Sequence, residues 1–67
     1  MNVEFIMTIY NKQGKLIYKT KNINQPWDGF NQNTGEKCIQ GSYIWVIQLT
    51  NKLGQNEQYK GPLLLLD

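Results

Sequence analysis

The chain has no histidine, no arginine and no alanine, and Cys38 is its only cysteine. Each absence removes a class of chemistry. Without histidine there is no imidazole to act as a general base, to activate a serine or cysteine, or to supply the usual nitrogen ligand of zinc. A lone cysteine makes neither an intrachain disulfide nor a thiolate cluster, so Cys38 reads as a small apolar filler or an incidental loop thiol. Without arginine, the net charge of +2 rests on seven lysines against five acidic residues. That excess is too small for a nucleic-acid footprint, and the side chain that forks onto phosphate or guanine is missing. A small single-strand binder that stacks bases on its aromatics is disfavoured on the same ground. Long apolar runs are also lacking. The longest, Leu63 to Leu66, is far short of the roughly 20 residues a membrane-spanning helix needs. Met1-Asn2-Val3-Glu4 has none of the basic-then-apolar pattern of a secretory signal, so no targeting signal is expected within the chain itself.

What remains is a chain of 67 residues, enough for one small domain that buries only about 60% of its unfolded surface. A large internal catalytic pocket is not expected. The dominant periodicity is two. Val3, Phe5, Met7 and Ile9 point one way while Glu4, Ile6, Thr8 and Tyr10 point the other, which predicts a strand over 3 to 10. Asn11-Lys12-Gln13-Gly14 reads as a turn leading back into a strand over Lys15 to Thr20, and together they predict a hairpin. Residues 21 to 26 are polar and end in Pro26, and Asn31 to Gly35 is a second turn-rich stretch. Ser42 to Thr50, rich in β-branched and aromatic residues, is the strongest strand signal; Asn51-Lys52-Leu53-Gly54 turns it back into a strand from about Glu57 to Leu66. A weaker fifth strand is expected between Phe30 and Ile39. The pattern predicts an all-β sandwich or small barrel with fewer strands than an immunoglobulin sandwich carries, hence a fragment or a sheet completed by another segment or copy.

Within this frame Tyr43, Trp45, Ile47 and Leu49 form the expected inward face of the third strand, with Leu63 and Leu65 inward on the fourth. Ile44 and Val46, with Leu64 and Leu66, point the other way and form a candidate docking surface, open to strand pairing or homodimer contact through an exposed sheet face. Trp27-Asp28-Gly29 is expected to be a structural corner: a packed indole, an Asx-type turn closed by the carboxylate, and a glycine at positive φ. No catalytic, cofactor-binding or metal-binding residues are assigned, and Asp28 lacks the second, suitably spaced carboxyl a glycosidase requires.

Four stretches lie in register over positions 5 to 66. These are Ile9 to Gly14, Trp27 to Gly29, Gly41 to Ile47 and Gly61 to Leu65. With Asn11, Gly14, Trp27, Asp28, Gly29, Gly41, Tyr43, Trp45 and Gly61 as its motif residues, the chain resembles the gliding-motility-associated C-terminal domain, the type B sorting domain of the type IX secretion system. Gln13 and Lys12 stand where that family carries tryptophan and arginine. The resemblance implies an immunoglobulin-like β-sandwich, here a single C-terminal sorting-type domain over 1 to 67 that lacks the family's first strand or strands and is incomplete at its N-terminal side. It implies a non-catalytic module of a larger exported precursor, without cofactors and without nucleic acid, located at the cell surface or secreted in Bacteroidetes-type bacteria. Its implied partners are the outer-membrane secretion machinery and an upstream cargo domain. The alternative is an immunoglobulin-like accessory or adhesion module that binds a protein or carbohydrate through exposed Tyr10, Tyr18 or Tyr59.

Overall fold

A computed structural model describes residues 4–66. They form four strands, β1 (Glu4–Tyr10), β2 (Leu16–Thr20), β3 (Gly41–Thr50) and β4 (Asn56–Leu65), in one antiparallel sheet of order β2-β1-β3-β4. Val3, expected to open the first strand, lies outside the described residues. Each hairpin closes on the same sequence element, Asn-Lys-x-Gly, and by the same chemistry. The Oδ1 of Asn11 accepts from the backbone N–H groups of Gln13 (3.0 Å) and Lys15 (2.9 Å). The Oδ1 of Asn51 likewise accepts from Leu53 (2.9 Å) and Gln55 (3.0 Å). The asparagine side chain thus supplies the acceptor that the tight backbone cannot. The glycine that follows takes up the left-handed conformation, φ 80° at Gly14 and 81° at Gly54.

The two hairpins are joined by β1 against β3, with Ile9 opposite Trp45, Met7 opposite Ile47 and Phe5 opposite Leu49. Because β2 lies outside β1, the crossover of residues 21–40 must traverse β1 to reach β3, and it does so over one face of the sheet. That face holds the core: Ile9, Ile17, Tyr18 and Tyr43, with Met7, Trp27, Cys38, Trp45, Leu63 and Leu65 packed against them. Full burial of a side chain such as Ile9 contributes about 1.5–3 kcal/mol.

The expected fifth strand is reduced to a single antiparallel bridge between Phe30 and Lys37. The reason is local. Asn31 Oδ1 accepts from Asn33 and Thr34, and the Gly35 N–H donates to the Asn31 carbonyl at 2.7 Å. This tight turn consumes the residues a ladder would need. Among the described residues there is one sheet, and the layer facing it is the crossover.

Candidate functional site

The crossover is fixed at Trp27-Asp28-Gly29. Asp28 Oδ1 accepts from the Phe30 N–H at 3.0 Å, forming an Asx turn, and the Trp27 Nε1–H donates to the Phe30 carbonyl at 3.0 Å. Gly29, buried, has φ +86°, a conformation open to glycine at little cost. Its carbonyl accepts from the Cys38 N–H at 2.8 Å, which ties the corner to the returning limb of the crossover. The Trp27 indole is half-buried and meets the Tyr43 ring edge-on, with centroids 5.3 Å apart at 64°. Tyr43 in turn donates its hydroxyl to the Ile39 carbonyl at 2.7 Å. Burial, then the adjacent Cys38 thiol, holds the Tyr43 phenol above its ordinary value of 10.0. Trp27, Asp28, Gly29 and Tyr43 are therefore one connected unit on the core face.

Trp45 and Gly61 form a second unit further along the same face. They sit directly opposite each other in the β3–β4 ladder. A Cβ at position 61 would stand 2.7 Å from Trp45 Cζ2 and 2.9 Å from Cε2, so the indole lies over the bare glycine backbone. Its Nε1–H reaches past Gly61 to donate to the Pro62 carbonyl at 3.1 Å. Gly61 is required here for space, since its φ is not positive. Gly41 opens β3 at φ 145°, while Asn11 and Gly14 belong to the first hairpin turn, away from the corner.

The opposite face is apolar at one end. The register places Ile44 between Tyr10 and Pro62, and Val46 between Thr8 and Lys60, with Leu64 opposite Ser42. Leu16 pairs with Tyr10 and is exposed on the neighbouring strand. Ile44 is 47% exposed and Leu64 63%, and Leu66, past the end of β4, is 73% exposed. Ile44, Val46 and Leu64 thus share one face, and Tyr10, Leu16 and Pro62 extend it. Strand alternation could have added Tyr10 and Pro62 to the group. Of the tyrosines considered as ligand contacts, Tyr59 is exposed and Tyr10 half-buried, but Tyr18 is only 5% exposed. Tyr18, opposite Ile9 in the ladder, is a core residue and cannot serve as a surface contact; a register shift just beyond that pair turns Ile17 inward beside it.

One further feature escaped the sequence: the outer edge of β2 is covered. The Gln32 side chain accepts from the Lys19 N–H (3.1 Å) and donates to the Lys19 carbonyl (3.2 Å). Asn33 Nδ2 donates to the Leu16 carbonyl at 3.1 Å, and the Gln32 N–H to the Ile17 carbonyl at 2.8 Å. Side-chain amides take the place of a neighbouring strand.

A small antiparallel sheet with one face closed by a pinned crossover and the other carrying an exposed apolar stripe is an all-β module whose distinctive chemistry lies on its surfaces. More specifically, the profile of the CHU_C type IX secretion signal domain matches residues 1–65, and the chain belongs to that family. No curated protein and no solved structure matches it. Membership gives the chain a sorting role: it marks a larger precursor for export to the surface or medium and engages the secretion machinery.

Proposed function

We propose that this domain is a non-catalytic C-terminal address label, read by outer-membrane secretion machinery in gliding Bacteroidetes-type bacteria. The match to the secretion signal family over residues 1–65 is the observation that carries this reading. The fold is proposed to be immunoglobulin-like. In it the four-stranded sheet is one layer, and the crossover with its Phe30–Lys37 bridge stands in the place of the other. In this reading the motif residues Asn11, Gly14, Trp27, Asp28, Gly29, Gly41, Tyr43, Trp45 and Gly61 maintain the frame. Recognition falls to the exposed face of Ile44, Val46, Leu64 and Leu66, supported by its exposure and by its lying on the side of the sheet opposite the pinned corner.

The test fuses residues 1–67 to the C-terminus of a fluorescent cargo in a bacterium with a working type IX system. Surface or medium fluorescence is expected. Cargo that stays in the periplasm, while a proven sorting domain exports it, refutes the sorting reading. The docking surface is tested by Ile44→Lys combined with Leu64→Lys, exposed positions where each change should shift stability by no more than about 0.5 kcal/mol. Export should fall sharply with the fold retained, and undiminished export removes this face from recognition.

A further inference from the structure

The two edges of the sheet differ, and the difference points to an assembly. In an antiparallel ladder, facing residues alternate between pairs that exchange backbone hydrogen bonds and pairs whose N–H and C=O groups point away. The Asn51 N–H donates to the Gln55 carbonyl at 2.9 Å, which makes Asn51 and Gln55 a bonded pair at the mouth of the β3–β4 hairpin. Counting along the register, Leu49–Glu57, Ile47–Tyr59, Trp45–Gly61 and Tyr43–Leu63 are bonded in turn. The backbone groups of Asn56, Gln58, Lys60, Pro62 and Leu64 therefore point outward from β4. Two observations agree with that parity. Pro62, which has no N–H, occupies an outward position, where proline leaves the ladder intact. Its carbonyl is also the one reached by Trp45 from outside the ladder.

Asn56, Gln58 and Lys60 thus present a row of donors and acceptors with no partner among the described residues, whereas the β2 edge is capped by Gln32 and Asn33. We propose that the β4 edge pairs antiparallel with the β4 edge of a second copy, about a twofold axis at Gln58. Charge and proline content select the occupant and its register. With the axis at Gln58, that residue faces its own counterpart, Asn56 faces Lys60 and Glu57 faces Tyr59. No like charges meet, and Pro62 falls beyond the pairing, opposite the turn glycine Gly54. An axis at Lys60 would set two ammonium groups against each other, and an axis at Tyr59 would set Asn56 against Pro62, which cannot donate. Because the described residues of each copy leave a single open edge, the pairing closes at two copies and does not propagate as a fibre. This inference concerns a different surface from the Ile44 face and does not depend on the sorting reading.

The experiment is sedimentation velocity on the 67-residue chain from micromolar to millimolar concentration, together with amide hydrogen exchange. A concentration-dependent dimer with no larger species is expected. In it the N–H groups of Asn56, Gln58 and Lys60 exchange slowly, and they become fast on dilution while Lys19 does not change. Gln58→Pro removes an outward N–H only; it should give a monomer at every concentration with unchanged far-ultraviolet circular dichroism. Should that variant fail to fold, the exchange rates of the unaltered chain decide the matter alone. A monomer at millimolar concentration whose Gln58 amide exchanges freely leaves the edge to a strand from another protein and overturns the proposal. Larger oligomers, or a Gln58→Pro variant that dimerises normally, overturn it equally.

Discussion

Replacing Gly61 with alanine adds one methyl group to an edge strand, a change that in most strands is mildly favourable. Alanine has less conformational freedom to lose on folding, which stabilises by about 0.4–1 kcal/mol where the backbone permits it. Here the new Cβ would lie 2.7 Å from Trp45 Cζ2, 2.9 Å from Cε2 and 3.1 Å from Nε1. The indole must lift away, forfeiting its hydrogen bond to the Pro62 carbonyl, about 1 kcal/mol, and part of its contact with the core. Overpacking of this kind costs about 1–3 kcal/mol. Set against the entropic gain, a net loss of about 1–2 kcal/mol is expected. That is substantial for a 67-residue chain, whose total stability should be roughly 3–10 kcal/mol. The discriminating assay is a double-mutant cycle followed by urea unfolding and circular dichroism. In a Trp45→Ala background the obstruction is gone, and Gly61→Ala should become stabilising. The Trp45 indole N–H resonance should also shift in the single variant. If Gly61→Ala is neutral or stabilising with Trp45 present, or has the same effect in both backgrounds, steric exclusion by the indole is not the reason for glycine at this position.

Trp27→Ala loses the edge contact with Tyr43 and the bond to the Phe30 carbonyl. Urea unfolding should register a loss of about 2–4 kcal/mol, somewhat below full aromatic truncation because the ring is half-buried; a loss under about 1 kcal/mol would show that the corner does not depend on the indole. Tyr18→Phe removes a buried hydroxyl that has no hydrogen-bond partner among the described residues, and a gain of about 1 kcal/mol in the same assay is expected. The Tyr43 phenol is held above 10.0 in the folded chain, chiefly by burial. The folded state therefore retains a proton that the unfolded chain releases, so this contribution is intact below pH 10 and is lost as pH rises through the folded-state value. Alkaline unfolding curves should show that slope, and Tyr43→Phe should remove it. Gln32→Ala uncovers the Lys19 backbone while the Asn33 and Gln32 N–H bonds to Leu16 and Ile17 stay in place; the chain should lose about 1–2 kcal/mol in urea unfolding, and an unchanged midpoint would show that the side chain does not hold the edge.

The strands were legible because each carries its own alternation, and both hairpin turns because Asn-Lys-x-Gly contains all the groups the turn needs. What the sequence withheld depends on register between distant segments. That β1 lies beside β3 is decided by packing across the crossover of residues 21–40, which leaves no local trace. Tyr18 is buried because it pairs with Ile9 on the core face, and the register shift just beyond that pair lets Ile17 turn inward as well, breaking the alternation that would otherwise set the two neighbours on opposite faces. The capping of β2 by Gln32 is of the same kind. A glutamine in a polar loop looks like any other until the loop is placed alongside an unpaired strand. Gly61 was legible as a motif residue, but its reason, an indole facing it across the ladder, was not.

The distribution of closed and open surfaces bears on how a module of this size can carry information. A small domain has too little interior to build a preorganised pocket and still keep a core, so whatever it specifies must be displayed on a face or an edge. Such display works only if the displaying strands hold still. The rigid contacts lie on the core side of the same strands that present the outward residues: Tyr43 is clamped by Trp27 while Ile44 points out, and Trp45 lies across Gly61 while Val46 points out. Because consecutive residues in a strand face opposite ways, each anchor fixes the position of an exposed neighbour. The Trp-Asp-Gly corner, on this argument, contributes to recognition without touching a partner. Its loss should blur the exposed face before it unfolds the sheet.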